Sequence, residues 1–305
     1  MALPERISPK VPVNGLLLLV LVSLIWGGNM VSIKVSNEGV PPILAATIRS
    51  LIASILLWAY AFILGKEVLF SRQDLGHAFA IGTLFGLDFL FLYWGAAYTD
   101  ASRAVIFLYT HPFWVAVAAH LFLPNDRLNL CKIIGLVLAF VGVIAVFGTR
   151  SPTLGPDYWI GDLMEVAAAV FWAVTTIYIK WFSHFRQVSH YQTLFAQLCF
   201  SIPVLMAGAF IFEWDTELFF TLPVVTALGY QTVVVAFFSY LLWFWMIHRY
   251  PVSLLAAFTF LAPLFGVFLS GLYLQEALGG MLLVGLACVA GGIYLVHYPR
   301  HAWES

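Results

Sequence analysis

Charge is scarce in this sequence. Asp, Glu, Lys and Arg together make up 10% of the 305 residues, and 62% are hydrophobic. A soluble domain carries about 25% charged residues. A chain this apolar has too little polar side chain to cover a water-facing surface, whereas lipid accepts an apolar exterior. The net charge of −1 is uninformative, and no basic cluster points to a nucleic-acid partner. Cysteine is also sparse. Cys131, Cys199 and Cys288 all lie in apolar runs without zinc or redox spacing, so they are expected to be packing residues. No metal or cofactor motif is present, and the missing Walker-type phosphate loop excludes ATP drive by this chain itself.

What is abundant is long apolar runs. A span needs about 20 mainly apolar residues. Ten such runs are expected, at 13–35, 43–64, 76–97, 103–123, 129–148, 159–182, 191–212, 221–247, 252–273 and 279–297. The connectors between them are short and carry helix-ending chemistry, such as Pro41-Pro42, Pro124-Asn125-Asp126 and Ser151-Pro152 through Gly155-Pro156. The expected fold class is an all-α polytopic membrane protein. Arg6 and Lys10 precede the first apolar run as in a secretory signal. Trp26-Gly27-Gly28-Asn29-Met30 offers no cleavage site, so the first helix is expected to be retained.

Positive charge sets the orientation. With the N-terminus inside, Arg6, Lys10, Lys66, Arg72, Arg127, Lys132, Lys180, Arg186, Arg249 and Arg300 fall inside. Lys34, Arg103 and Arg150 fall outside, as does the acidic loop from Glu213 to Glu217. Both termini are therefore expected to be cytoplasmic.

Two halves, 1–150 and 151–305, align on each other. Trp26 and Lys34 match Trp172 and Lys180 at an offset of 146. Ser102 and Pro112 match Ser253 and Pro263 at 151. Asp126 and Leu128 match Glu276 and Leu278 at 150, as Gly135 and Gly142 match Gly285 and Gly292. Five spans per half give an odd number, so the second copy would run upside down. Inverted repeats belong to secondary transporters, in which exchanging the halves' conformations converts inward-open to outward-open.

These residues also carry a resemblance. Five-plus-five helices, Trp26 and Asn29 in the first, and Pro263 followed by Gln275-Glu276 and Gly285/Gly292 resemble the drug/metabolite transporter superfamily of EamA type. Within it the chain is similar to bacterial aromatic amino-acid exporters. Thr110-His111 stands before Pro112 where an aliphatic pair is usual, and Asn125-Asp126 replaces the usual glutamate position. The resemblance implies a central cavity between the halves and export of amino acids or related metabolites across the bacterial inner membrane.

Polar residues inside spans are costly and mark function by default. Asp88, in the middle of the third span, has no Lys or Arg within a helical turn, so it should face water, a cation or a substrate ammonium, or else be protonated. His111 beside Pro112 is expected either to bind substrate or to satisfy the carbonyl that the proline frees. Trp26, Asn29, Trp172, Thr176, Tyr240 and Trp243, with Gln231 nine residues earlier, form a candidate aromatic and polar lining. Such rings stack on aromatic solutes or cover an ammonium. The competing role for them is packing or the interfacial belt, above all for Trp243. Pro112 and Pro263 are candidate hinges, with static kinks as the alternative. Arg49 and Glu165 lie at similar depth and are candidates for a gating ion pair, with Lys34 competing for Glu165. Gly82-x-x-x-Gly86 permits close helix approach, with packing inside the monomer favoured over a dimer face.

The expected function is transport of a small metabolite, foremost an amino acid with an aromatic or apolar side chain, with lipid as the other partner. An intramembrane enzyme would need a clustered nucleophile and base or an HExxH helix, and neither appears. A channel would more often present polar rings.

Overall fold

A computed structural model describes residues 11–99, 101–124, 126–148, 156–273, 275 and 280–297. Arg6, Lys10, Asn125, Arg150, Ser151, Pro152, Gly155, Glu276, Leu278 and Arg300 lie outside the described residues. Among those described, nine helices are long and apolar enough to cross a membrane. They are α1 (Val13–Ser36), α2 (Pro42–Ile63), α3 (Leu75–Gly95), α4 (Ala101–Phe122), α5 (Leu130–Phe147), α6 (Tyr158–Phe185), α7 (His190–Phe212), α8 (Leu222–Arg249) and α9 (Val252–Tyr273). The tenth expected span corresponds to a shorter apolar helix, α10 (Met281–His297). The largest disagreement at any helix end is three residues, with α6 ending at Phe185 instead of 182.

Local chemistry explains where the helices begin. Pro42 stands in the first turn of α2, where its missing N–H would have no intrahelical partner. The Ile43 and Leu44 amides of that turn donate to the Glu213 carboxylate at 2.9 and 2.7 Å, so the acidic loop caps a helix from the other half of the chain. Ser189 and Gln192 form a reciprocal capping box on α7, and Asn129 accepts the Lys132 amide at 2.8 Å to start α5.

Packing sorts the helices into a centre and a rim. α9 is the most enclosed, and every residue from Val252 to Thr259 is buried. Outward-facing positions of the rim helices, such as Leu17, Ile55, Leu121 and Val141, expose large apolar side chains, as a lipid environment permits. α5 and α10 lie against each other through their glycines. A Cβ at Gly135 would stand 2.6 Å from the Gly292 carbonyl oxygen, and one at Gly142 would stand 2.7 Å from that of Gly285. Gly82 and Gly86 serve packing within the molecule, against Phe200 and Val204 of α7.

The other main pairings are α3 with α6 and α7, α1 with α8 and α9, α2 with α7 and α8, and α4 with α6 and α9. Three helices are irregular. α4 breaks at Tyr109–Thr110, just before Pro112, and α9 breaks at Phe260, just before Pro263. In each case the proline ring obstructs the carbonyl four residues back and offers it no N–H, so the regular ladder stops there. α8 is a π-helix from Tyr230 to Ser239, the widened geometry that often accompanies functional sites.

Candidate functional site

A cavity of about 250 Å³ opens among α1, α3, α4, α6, α7 and α8. Each helix lends it one stripe. α3 contributes Phe85, Asp88, Phe89, Leu92, Tyr93 and Ala96, whose spacing of three and four residues defines a single face. α6 contributes Glu165, Trp172, Thr175, Thr176 and Ile179 by the same rule, and α1 contributes Trp26, Asn29, Met30 and Ile33. On α8 the stripe steps five residues, from Val235 to Tyr240, where the π-helix ends, and then passes through Trp243 and Phe244.

The walls are aromatic. Trp26 is the hub, with ring centroids 4.9 Å from Trp243, 5.9 Å from Trp172 and 6.1 Å from Tyr240. Its indole N–H donates to Ser239 Oγ at 3.0 Å, which fixes the ring against α8. Trp243, the residue most open to the belt reading, is 6% exposed and lines the cavity.

Seven of the nine sequence candidates for substrate contact line this space: Trp26, Asn29, Asp88, Trp172, Thr176, Tyr240 and Trp243. His111 stands one layer behind. It stacks on Trp172 with centroids 3.7 Å apart and planes 9° from parallel, and its Nε2 lies 3.0 Å from Thr259 Oγ1. Gln231 turns to α1 and donates to the Ser32 carbonyl and to Ser36 Oγ at 3.2 and 2.8 Å. It is not among the residues that line the cavity.

The ion pair considered between Arg49 and Glu165 is not formed. Among the described residues, both carboxylate oxygens of Glu165 lack hydrogen-bond partners, and the Arg49 guanidinium makes none within hydrogen-bonding geometry. The Arg49 guanidinium instead lies 4.4 Å above the Phe89 ring, in the field of Asp88. Arg49 and Glu165 are both 1% exposed, and Asp88 is 4% exposed with Oδ1 unpartnered. Depth along the spans pointed from Arg49 to Glu165 and not to Asp88, and which helices pack side by side is not written in that depth.

Several lining residues had not been singled out, including Phe85, Phe89, Tyr93 and Gln197. Phe85 lies three residues before Asp88, so extending that residue's helical face would have found it, whereas Phe89 and Tyr93, one and five residues beyond, lie to one side of that face. Gln197 carries no comparable signal, since it lies on a different helix, α7.

Helices in these numbers, gathered around a partly open cavity bearing buried carboxylates, define a multi-pass membrane protein. The chain belongs to the EamA-like transporter family, whose sequence pattern matches it twice, over residues 13–148 and 159–298. It is 25% identical to the uncharacterized transporter YoaV of Bacillus subtilis, over 91% of this chain and 94% of that protein. It is 27% identical to a Salmonella typhimurium protein named "Probable amino-acid metabolite efflux pump", over 91% of this chain and 93% of that one. A solved crystal structure superposes with a TM-score of 0.78 at 20% identity, covering 91% of this chain and 94% of the other, and so shares the fold. A transporter of this family handles a small-molecule substrate, and the relatives are transporters.

Proposed function

We propose that this protein is a secondary transporter that exports small metabolites, foremost amino acids with aromatic or apolar side chains, across the bacterial inner membrane. The observation that carries this reading is the cavity with Trp26, Trp172, Tyr240 and Trp243 on its walls and Asp88 and Glu165 among them. At about 250 Å³ it lies below the span of about 300–1,000 Å³ usual for drug-sized ligands, which suits a small solute. The rings would hold an aromatic or apolar side chain, and the carboxylates would meet its ammonium. Asn29 and Thr176 would supply polar contacts. The printed name of the Salmonella typhimurium relative points to the same chemistry.

Movement would come from two inverted five-helix halves, residues 1–150 and 151–305, rocking about the cavity. Three observations support that reading. The family pattern matches once in each half. The main helix pairings are kept when each helix is exchanged for the one five places on: α3–α6 becomes α8–α1, α4–α6 becomes α9–α1, and α5–α10 maps onto itself. Finally, the α4 and α9 breaks precede Pro112 and Pro263, the corresponding prolines of the two halves. These breaks are the hinges of the proposed motion. The charge distribution in the loops supports cytoplasmic termini.

Purified protein in liposomes should take up labelled phenylalanine, tryptophan and leucine saturably, and unlabelled solute on the far side should accelerate exchange. Recovery of chemically altered solute, or no saturable flux with any of them, would overturn the proposal. Labelling of single cysteines at the two ends should place both on one side of the membrane.

A further inference from the structure

A second cavity, of about 110 Å³, lies where α4 and α6 end and α9 begins. The loop charges put that end of the bundle on the cytoplasmic side. The end of α6 forms one wall. Lys180 and His184 stand four residues apart on one stripe, and Trp181 and Phe185 stand four apart on the next. Phe122 and Leu123, at the end of α4, supply another wall, and Asp126 follows them. Both halves of the chain therefore contribute to the space.

Lys180 is buried, and a buried ammonium is costly unless it is paired. Of its three N–H donors, two are placed among the described residues, on the Ile247 and Tyr250 carbonyls at 2.5 and 3.1 Å. Neither acceptor carries a charge. The carboxylate whose field reaches Lys180 is that of Asp126. It is already engaged, since it receives the Lys132 ammonium at 2.6 Å and the Ser253 amide at 2.9 Å. One carboxylate thus serves two ammonium groups. One positive charge remains over, with an N–H left for the cavity that Lys180 lines.

A soluble anion would answer the charge but not the rest of the lining. Phe122, Trp181 and Phe185 are exposed beside the cavity, near the ends of their helices, where aromatic side chains meet lipid headgroups. An anionic group set beside outward-facing apolar rings is the chemistry of a phospholipid. Basic pockets between spanning helices on the cytoplasmic side take such headgroups.

We infer that this cavity holds the headgroup of an anionic phospholipid of the cytoplasmic leaflet, with its phosphate on Lys180 beside His184 and its chains against Phe122, Trp181 and Phe185. The single negative charge of a phosphodiester balances the excess ammonium. Because α4 belongs to the first half of the chain and α6 and α9 to the second, a seated lipid braces the two halves at this end. The inference is independent of which solute the central cavity takes.

The test is headgroup selectivity. Delipidated protein in detergent is titrated with phosphatidylglycerol or with phosphatidylcholine of the same acyl chains, and bound lipid is counted by native mass spectrometry. The first phosphatidylglycerol should bind roughly fivefold or more tightly than phosphatidylcholine, the effect of one basic group at a membrane surface. It should also raise the melting temperature. Lys180→Gln keeps N–H donors for the two carbonyls without the charge, and should abolish the preference. Lys66→Met removes an inside charge that does not line the cavity, and should preserve it. Should Lys180→Gln fail to fold, wild-type protein still gives the answer. Phosphatidylglycerol with a photoreactive headgroup should leave its adducts on residues 122–124 or 180–185.

Equal affinity for the two lipids, an equal loss of preference in Lys66→Met, a preference kept by folded Lys180→Gln, or adducts spread over other loops overturns the inference. Glycerol phosphate binding as tightly as the lipid would make this a site for a soluble anion, and overturns it as well. None of these results bears on solute flux in liposomes, so the transporter reading stands or falls separately.

Discussion

His111 Nε2 and Thr259 Oγ1 lie 3.0 Å apart, and through this contact the break in α4 is hydrogen-bonded to the break in α9. The Thr259 hydroxyl also lies 2.6 Å from the Ala256 carbonyl, and the tautomer of the imidazole decides which of His111 and Thr259 donates to the other. The same ring lies flat on Trp172. One histidine thus links both proline-broken helices to the cavity wall.

Replacing Thr259 by Val should leave the buried His111 Nε2 without its hydrogen-bond partner, at a cost of about 1–3 kcal/mol. Thr259→Ser keeps the oxygen and should melt close to wild type. Thermal denaturation in detergent separates the two variants. Equal melting of Val and Ser would show that this hydrogen bond contributes nothing to stability.

Arg49 and Asp88 should behave as a coupled pair although no hydrogen bond joins them. Arg49→Met removes the cation whose field Asp88 shares, and Asp88→Asn removes the anion. Each change alone should lower stability and transport. Together they should cost less than the sum, with a coupling energy of about 1–3 kcal/mol. Additive losses in a double-mutant cycle would mean that the two groups do not sense each other.

Much of this arrangement was legible in the sequence, and the boundary has physical causes. Span positions follow from apolar length, and the breaks follow from Pro112 and Pro263, so these needed no tertiary information. Trp26 and Trp172 stood out because they recur at matching places in the two halves. Helical spacing places neighbours along one helix but not across two, which is why Arg49 was matched to Glu165 by depth and not to Asp88. Gln231 failed for a related reason. Its spacing from Tyr240 said nothing about how far along α1 it would land. The repeated glycines were visible, but their meaning was not: Gly135 meets Gly292 and Gly142 meets Gly285, each against the other half.

That seam permits a sharp comparison between adjacent glycines. A Cβ at Gly292 would come 2.4 Å from the Gly135 carbonyl oxygen and 2.8 Å from the Ala139 Cβ, whereas at Gly291 the only close atom is Leu138 Cδ2 at 3.4 Å. Gly292→Ala should therefore destabilise the protein by about 1–3 kcal/mol through overpacking. Gly291→Ala should be neutral, or gain up to about 1 kcal/mol from helix propensity. Similar melting temperatures for the two variants would contradict the close α5–α10 approach.

Asp126 joins the segment between α4 and α5 to the start of α9. Its Oδ2 accepts the Ser253 amide at 2.9 Å, and its Oδ1 accepts the Ser253 hydroxyl and, at 2.6 Å, the Lys132 ammonium. Lys132 also reaches Ser253 Oγ at 2.9 Å and keeps 16% of its side chain exposed, against 5% for Asp126. The aspartate thus makes every link of the cluster but one, while the lysine retains a route to water when its partner is lost. Asp126→Ala should cost about 3 kcal/mol, the loss of a helix cap together with a largely buried ion pair. Lys132→Met should cost less, because Ser253 still satisfies both carboxylate oxygens. Asp126→Asn should fall between them, since one acceptor oxygen remains. Thermal melts of the three variants give the order directly, and a Lys132→Met loss equal to or larger than that of Asp126→Ala would place the weight of the cluster on the lysine.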